Sequence, residues 1–487
     1  MSRDPADRLR YPPGMPTPRD TPASDTARGA DLPPSDALLR DDVRRLGALV
    51  GEILAEQVGP GFLAEVEALR VAAIARREAG APVARLAAML DDLPLDRAER
   101  LVRAFATYFG AINLAERVHR IRRRRDYQRL GGAPQPGGLE HSLRALKDAG
   151  VDAAEVAALL ARLHIEPVFT AHPTEAVRRA LLEKESEVVR CLVEDIDRAL
   201  TPQERRADVE RMRRALTAAW QTDETPPQKP TVADEFEHVA FYLADVLYRV
   251  LPVFHEALED ALRDVWGPRE RDRVHSHPAT GVASSTGVAS APDVYEPDPV
   301  LTFGSWVGGD MDGNPNVGAA TIAATLAGQR AMVLGNYRGE LARLGEALSQ
   351  STSRVEVSPA LVARSDALQR ELPDATDALK ARHAEMPYRR LCALLAAKLA
   401  ATADDAPAGY ADAAAFVDDL RLVEASLRAH RGEHAGLFAV RRLRRRAAAF
   451  GFHLATLDLR QESSRHDAAL AALRLMLTMY GPNARAP

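Results

Sequence analysis

Apolar residues recur three and four positions apart along most of the chain, the period of an amphipathic helix. Leu39, Val43, Leu46, Val50 and Ile53 mark one face of a helix that starts near Ser35 or Asp36 and is stopped by Gly59-Pro60. The same spacing predicts helices from Phe62 to about Arg76, over Pro82–Leu90 and over Leu95–Ile121, and two short ones within Leu139–Leu163. Further helices are expected from about Glu175 to Leu200, over Pro202–Trp220, and from about Val232, where Val239, Leu243, Val246 and Val250 share a face. Leu334, Tyr337, Leu341, Leu344 and Leu348 are in register in a long helix, and Pro359–Leu372, Tyr388–Leu399 and Asp412–Ala429 continue the pattern. These stripes are core faces.

Three stretches break the helical period. In the first, Val168-Phe169 runs into Thr170-Ala171-His172-Pro173-Thr174-Glu175, and a helical pattern resumes at once. That order predicts a short buried strand delivering His172 into a loop at a helix N-terminus. There the imidazole can serve as a general base or anion ligand, or simply be satisfied in a turn. In the second, Leu301-Thr302-Phe303 opens as a strand and becomes the loop Gly304-Ser305-Trp306-Val307-Gly308-Gly309-Asp310-Met311-Asp312-Gly313-Asn314-Pro315. Glycines allow close approach of backbone to a ligand, although the loop fits neither GxGxxG nor GxxxxGK[ST]. Asp310 and Asp312 can orient cationic side chains or shape the turn through Asx bonds. In the third, Phe452, Leu454, Thr456 and Asp458 alternate with His453, Ala455, Leu457 and Leu459, which predicts a strand. Arg460 at its exit can hold a phosphate or carboxylate in bidentate fashion, or pair with Asp458 or Glu462 in a structural ion pair.

Composition narrows the function classes. The chain has 487 residues, 46% hydrophobic and 27% charged, which is globular and too long for one small core. A net charge of −5 and 5% aromatic residues give neither the bulk attraction nor the stacking platform expected of a nucleic-acid binder. The two cysteines, Cys191 and Cys392, lie beside leucines in helical patterns, so buried thiols are expected. No apolar run reaches membrane-spanning length and the N-terminus lacks a signal-peptide pattern, so a cytoplasmic protein is expected. Residues 1–34 read as a disordered tail and 267–298 as a flexible surface loop, where His275 and His277 lack the ordered setting of a metal pair. The basic cluster Arg122–Arg125 is expected at a helix end, where cations suit the dipole.

Taken together, VFTAHPTE, SWxGGDxDGNPNV and LDLRQESSRH resemble the phosphoenolpyruvate carboxylase family. Supporting matches are Trp220–Glu224, Asn113-Leu114-Ala115-Glu116 and Met386-Pro387-Tyr388-Arg389, all collinear. The resemblance implies a predominantly α-helical protein built on a TIM-type (β/α)8 barrel, usually a homotetramer. A helical region over 35–163 would precede the first part of the barrel over 164–487. The implied lyase reaction joins phosphoenolpyruvate and bicarbonate, with Mg²⁺ or Mn²⁺, to give oxaloacetate and phosphate. His172 matches the family's essential histidine, Arg460 an arginine that grips the substrate phosphate, and Trp306 a wall of the pocket for the substrate methylene.

Two departures accompany the match. Met311 stands where arginine is usual in the family. The chain also ends near the middle of the family's length, so the metal ligands, the remaining phosphate-binding arginines and the effector site are expected outside it, with no metal site in this chain. The reading is therefore an N-terminal part of the carboxylase, inactive alone and with an incomplete barrel. The alternatives are a non-catalytic helical relic with a binding or regulatory role, a half-enzyme completed by a second polypeptide, and, as a lesser reading of His172, a phosphohistidine transferase.

Overall fold

The computed structural model describes residues 36–91, 93–130, 134–170, 179–196, 200–223, 230–267, 299–312 and 314–480. The expected tail over 1–34 and all but the first residue of the expected loop at 267–298 lie outside this set. The chain forms two compact units, residues 1–132 with 178–224, and residues 133–177 with 225–487.

The first unit is helical throughout its described part. It contains α1 (Ala37–Gln57), α2 (Pro60–Glu78), the short α3 (Ala84–Ala87), α4 (Leu95–Leu130), α7 (Arg179–Glu194) and α8 (Pro202–Trp220). Leu46, Ile53, Phe62, Val118, Leu192 and Met212 fill its core, and the Cys191 thiol is buried among them. The sequence places α8 well because its start is marked twice. Pro202 occupies the first turn, and Thr201 and Glu204 form a capping box. Two expectations fail. The Pro82–Leu90 pattern yields one turn, and α4 runs on to Leu130, so Arg122–Arg125 lie inside it. Arginine is a good helix former, and Arg122 is buried in an ion pair with Asp42 of α1. The cluster is thus partly a packing device and not a solvated end.

In chain order the second unit holds α5 (Leu139–Asp148), α6 (Ala153–Leu160), β1 (Val168–Phe169), α9 (Val232–Phe241) and α10 (Tyr248–Trp266). After these come β2 (Gly304–Ser305), α11 (Ala319–Ala347), α12 (Pro359–Glu371), α13 (Pro373–Asp377) and α14 (Pro387–Ala403). The last elements are α15 (Ala413–Ala429), α16 (Phe438–Phe450), β3 (Thr456–Leu457) and α17 (Ser463–Tyr480). A π turn over Tyr242–Leu247 joins α9 to α10, in which Pro252 lies. The three strands form a parallel sheet in the order β1-β2-β3, with Val168 opposite Gly304 and Gly304 opposite Thr456. Parallel neighbours in chain order, with helices between them, are the arrangement of a βαβ succession.

Tyr337, Tyr388, Phe416 and Phe450 are wholly buried at the centre of this unit, with α11 lying along α14. Burial pushes the Cys392 thiol up to about 12, so it is a packing group. Helix α16 is fastened by its arginines. Arg446 meets both carboxylate oxygens of Glu340 at 2.6 and 2.7 Å and donates to the Tyr248 carbonyl at 2.7 Å. Arg442 makes a two-pronged pair with Glu256 at 2.6 and 2.7 Å, and Arg444 donates to Glu424 at 2.8 Å.

The expected strand over Phe452–Leu459 is mostly not a strand. Gly451 (φ +52) closes α16, Leu454 adopts φ +60, and Leu454 and Ala455 are both buried, leaving β3 only Thr456–Leu457. The apolar alternation that suggested a strand is a tight turn tucked under the core. Its carbonyls are held by the buried Gln329, whose amide, with its nitrogen turned toward them, donates to His453 at 2.8 Å and Ala455 at 3.0 Å. Helix α17 differs from the rest, since every residue from 463 to 479 is exposed, Leu470, Leu473 and Leu477 included. Among the described residues no helix is long and apolar enough to cross a membrane.

Candidate functional site

The polar exits of the three strands converge because the strands are parallel and in register. Trp306 follows β2 and Asp458 follows β3, one step beyond the pairing of Ser305 with Leu457. In-register neighbours on parallel strands put their side chains side by side on one face. The Trp306 indole Nε1 accordingly donates to Asp458 Oδ2 at 3.0 Å. The backbone N–H of Trp306 donates to the Phe169 carbonyl at 2.8 Å, tying the same residue to β1.

Beyond this point the register changes. Asp310 pairs with Arg460, so the β2 exit carries two residues more than the β3 exit over the same span. Gly308 and Gly309 absorb them. Gly308 has φ +85, and a Cβ there would lie 2.1 Å from Thr325 Oγ1. At Gly309 a Cβ would lie 2.3 Å from the Asp458 carbonyl oxygen. Both glycines are thus required by close approach, one against α11 and one against β3. The loop is then locked by Met311 N–H donating to the Arg460 carbonyl at 2.8 Å and Arg460 N–H donating to the Gly309 carbonyl at 3.1 Å.

Arg460 lies over Trp306, its guanidinium carbon 3.6 Å from the ring centroid, close for a cation–π contact. Its Nη1 reaches Asp310 Oδ2 at 3.4 Å, a long contact, and its side chain is 39% exposed. Neither Asp458 nor Glu462 takes the guanidinium, as the structural alternative for Arg460 required; Asp458 binds the indole instead. Asp310 does both things expected of it, since its other oxygen accepts the Asp312 backbone N–H at 3.2 Å in an Asx turn. The partly exposed guanidinium thus lies beside an aromatic wall, an arrangement suited to an anion that carries an apolar group.

Of the three side chains singled out in the sequence, the structure brings Trp306 and Arg460 together. His172 lies outside the described residues, which stop at Thr170 on the exit of β1 and resume at Arg179. Behind β1, Phe169 stacks on Tyr242, which meets His238 edge-on, and burial lowers the His238 pKa below its ordinary value. Sequence reasoning missed Asp458 as the partner of Trp306 and Asp310 as the partner of Arg460. The register of the two motifs, aligned Ser305 to Leu457, is the signal that finds the first; the two-residue glycine turn hides the second. Among the described residues no group of three or more His, Cys, Asp or Glu side chains is placed to hold a metal ion.

Comparison with known proteins agrees with the motifs. The phosphoenolpyruvate carboxylase family profile matches residues 39–483. A curated phosphoenolpyruvate carboxylase of Xanthomonas campestris pv. campestris is 54% identical over 437 residues, covering 90% of this chain and 46% of that protein. Those of Azoarcus sp. and Nitrosomonas europaea are 35% and 33% identical, covering 91% and 93% of this chain and 46% of each relative. The chain thus spans about half the length of these relatives.

Proposed function

Since the chain belongs to the phosphoenolpyruvate carboxylase family, we propose that its strand-exit site grips the phosphate of phosphoenolpyruvate with Arg460 and walls the substrate methylene with Trp306. The observation that carries this reading is the Arg460–Trp306 pair at the end of β3, a partly exposed guanidinium over an aromatic face. In the proposed reaction bicarbonate attacks the phosphoryl group, giving carboxyphosphate and the enolate of pyruvate. Carboxyphosphate then breaks its carbon–oxygen bond to give CO2 and inorganic phosphate, and the enolate carbon captures the CO2 to form oxaloacetate. Arg460 offsets charge on the phosphoryl oxygens as they change partners, and Trp306 keeps water from the enolate. His172, by its motif, is the proposed base that removes the carboxyphosphate proton, a task that suits a group titrating near neutral pH.

The sheet supports an architectural proposal as well. Three parallel strands in chain order, each leaving polar groups at its C-terminal end, match part of a (β/α)8 barrel. The outer edges of β1 and β3 and the exposed apolar residues of α17 are where further strands and helices of such a barrel would add. The metal ligands are proposed to lie in the part of the relatives' length that this chain does not span, and the whole enzyme to be a cytoplasmic homotetramer.

Calorimetric titration of phosphoenolpyruvate into the 1–487 polypeptide, beside a coupled oxaloacetate assay, tests the reading. Binding that competes with inorganic phosphate, with little or no turnover, is expected. Absence of binding would favour the relic, and near-normal turnover would overturn the assignment of the metal ligands to another part of the family's length. Turnover restored on adding a second polypeptide would identify a half-enzyme.

A further inference from the structure

Asp458 sits where it has a choice of partners. Arg460 is two residues on and contacts the same indole, and a carboxylate ordinarily seeks such a guanidinium. Asp458 instead accepts from the neutral indole N–H of Trp306 at 3.0 Å, while the guanidinium lies on that indole at 3.6 Å. The backbone of Asp458 is fixed independently: its N–H donates to the Ser305 carbonyl at 3.0 Å and its carbonyl abuts Gly309. The carboxylate is thus held by strand pairing and not by the charge it avoids.

We propose that Asp458 is the positioning residue of this site: it fixes the plane of Trp306, and through that plane the place where the Arg460 guanidinium meets an anion. A ring able to rotate about its side-chain torsions offers no fixed seat for a cation, and an indole tethered through Nε1 offers one. A carboxylate on the N–H also pushes electron density toward the ring face, which strengthens the hold on a cation stacked there. Because Asp458 acts on the ring, the edge of Arg460 is left to the long 3.4 Å contact with Asp310, which a phosphate can replace with shorter charge-assisted bonds. The functional end of this proposal rests on Arg460 being a phosphate ligand; the indole–carboxylate pair does not.

The test reads the two separately. The chain has three tryptophans, Trp220, Trp266 and Trp306, so an indole 15N–1H spectrum is sparse and W306F assigns the signal of interest. The Trp306 indole proton is expected downfield and slow to exchange, part-shifted in Asp458→Asn, whose side-chain carbonyl still accepts, and upfield and fast in Asp458→Leu. Unmoved Trp220 and Trp266 signals show that the variants fold. Phosphoenolpyruvate affinity is expected to fall about tenfold in Asp458→Leu and less in Asp458→Asn. An unmoved Trp306 signal in Asp458→Leu overturns the proposal, as does a moved signal with unchanged affinity. If the unaltered chain binds no phosphoenolpyruvate while its indole signal behaves as expected, the Arg460 reading fails and takes the functional end of the proposal with it.

Discussion

Arg446 and Arg460 stand fourteen positions apart in the sequence, each stacked on an aromatic ring, and they do opposite work. Arg446 is buried, with two bonds to Glu340 and one to the Tyr248 carbonyl, and its guanidinium lies 4.7 Å from the Tyr248 ring. Arg460 is 39% exposed and its contact with Asp310 is 3.4 Å long. A guanidinium whose donors are taken up by the protein holds helices together, and one held by its face and a long edge contact with Asp310 leaves donors that a ligand can take. Helix α16 and the β3 exit therefore divide into a clamp and the proposed site. The clamp serves the site, since α16 leads through Gly451 into β3 and the Tyr337 hydroxyl donates to the Gly451 carbonyl at 2.8 Å.

Arg446→Leu leaves Glu340 with only the longer 3.7 Å contact to Arg343 and is expected to cost about 2–4 kcal/mol of stability, measured by urea unfolding. A loss under about 1 kcal/mol would show that the clamp is ornamental. A change of acidity probes the same clamp. His255 is buried, and burial, with Arg445 and Arg444 beside it, lowers its pKa from 6.5 to about 4, against a smaller opposite pull from Glu256. The unfolded chain takes up this proton near pH 6.5 and the folded chain only near pH 4. The contribution to stability is therefore whole above the first value and shrinks as pH falls toward the second, by a total on the order of 3 kcal/mol. Unfolding midpoints for the unaltered chain and for His255→Asn across this range are expected to show a shallower slope in the variant. Equal slopes would remove His255 from the account. The smallest effect is expected at the site itself, where Arg460→Ala should change stability by less than about 1 kcal/mol, because its ion pair with Asp310 is long and only partly buried.

Much of the helical frame was legible because its boundaries carry chemistry. Thr201-Pro202, Ser358-Pro359 and Asp412 each place a capping oxygen before a helix, and the helices start there. The strand-exit motifs were legible as motifs, and Trp306 and Arg460 do meet. The extent of β3 was misread, because alternation in Phe452–Leu459 mimics a strand while Gly451 and Leu454 turn the backbone to positive φ. The length of α4 was misread because a run of arginines resembles a solvated end until Asp42 is found beside Arg122. The pairings within the site were hidden for another reason. They depend on register between segments about 150 residues apart in sequence, and local pattern carries no register.

Arg460 is proposed to be a ligand-facing guanidinium and not a structural one. The most direct test is the phosphoenolpyruvate dissociation constant of the 1–487 polypeptide and its Arg460→Ala variant, by calorimetry at one salt concentration. A loss of about thirtyfold or more in affinity, as for removing one partner of a charged hydrogen-bonded pair, with an unchanged unfolding midpoint, is the predicted result. Unchanged affinity, or a loss of affinity matched by a loss of stability like that of Arg446→Leu, would contradict it.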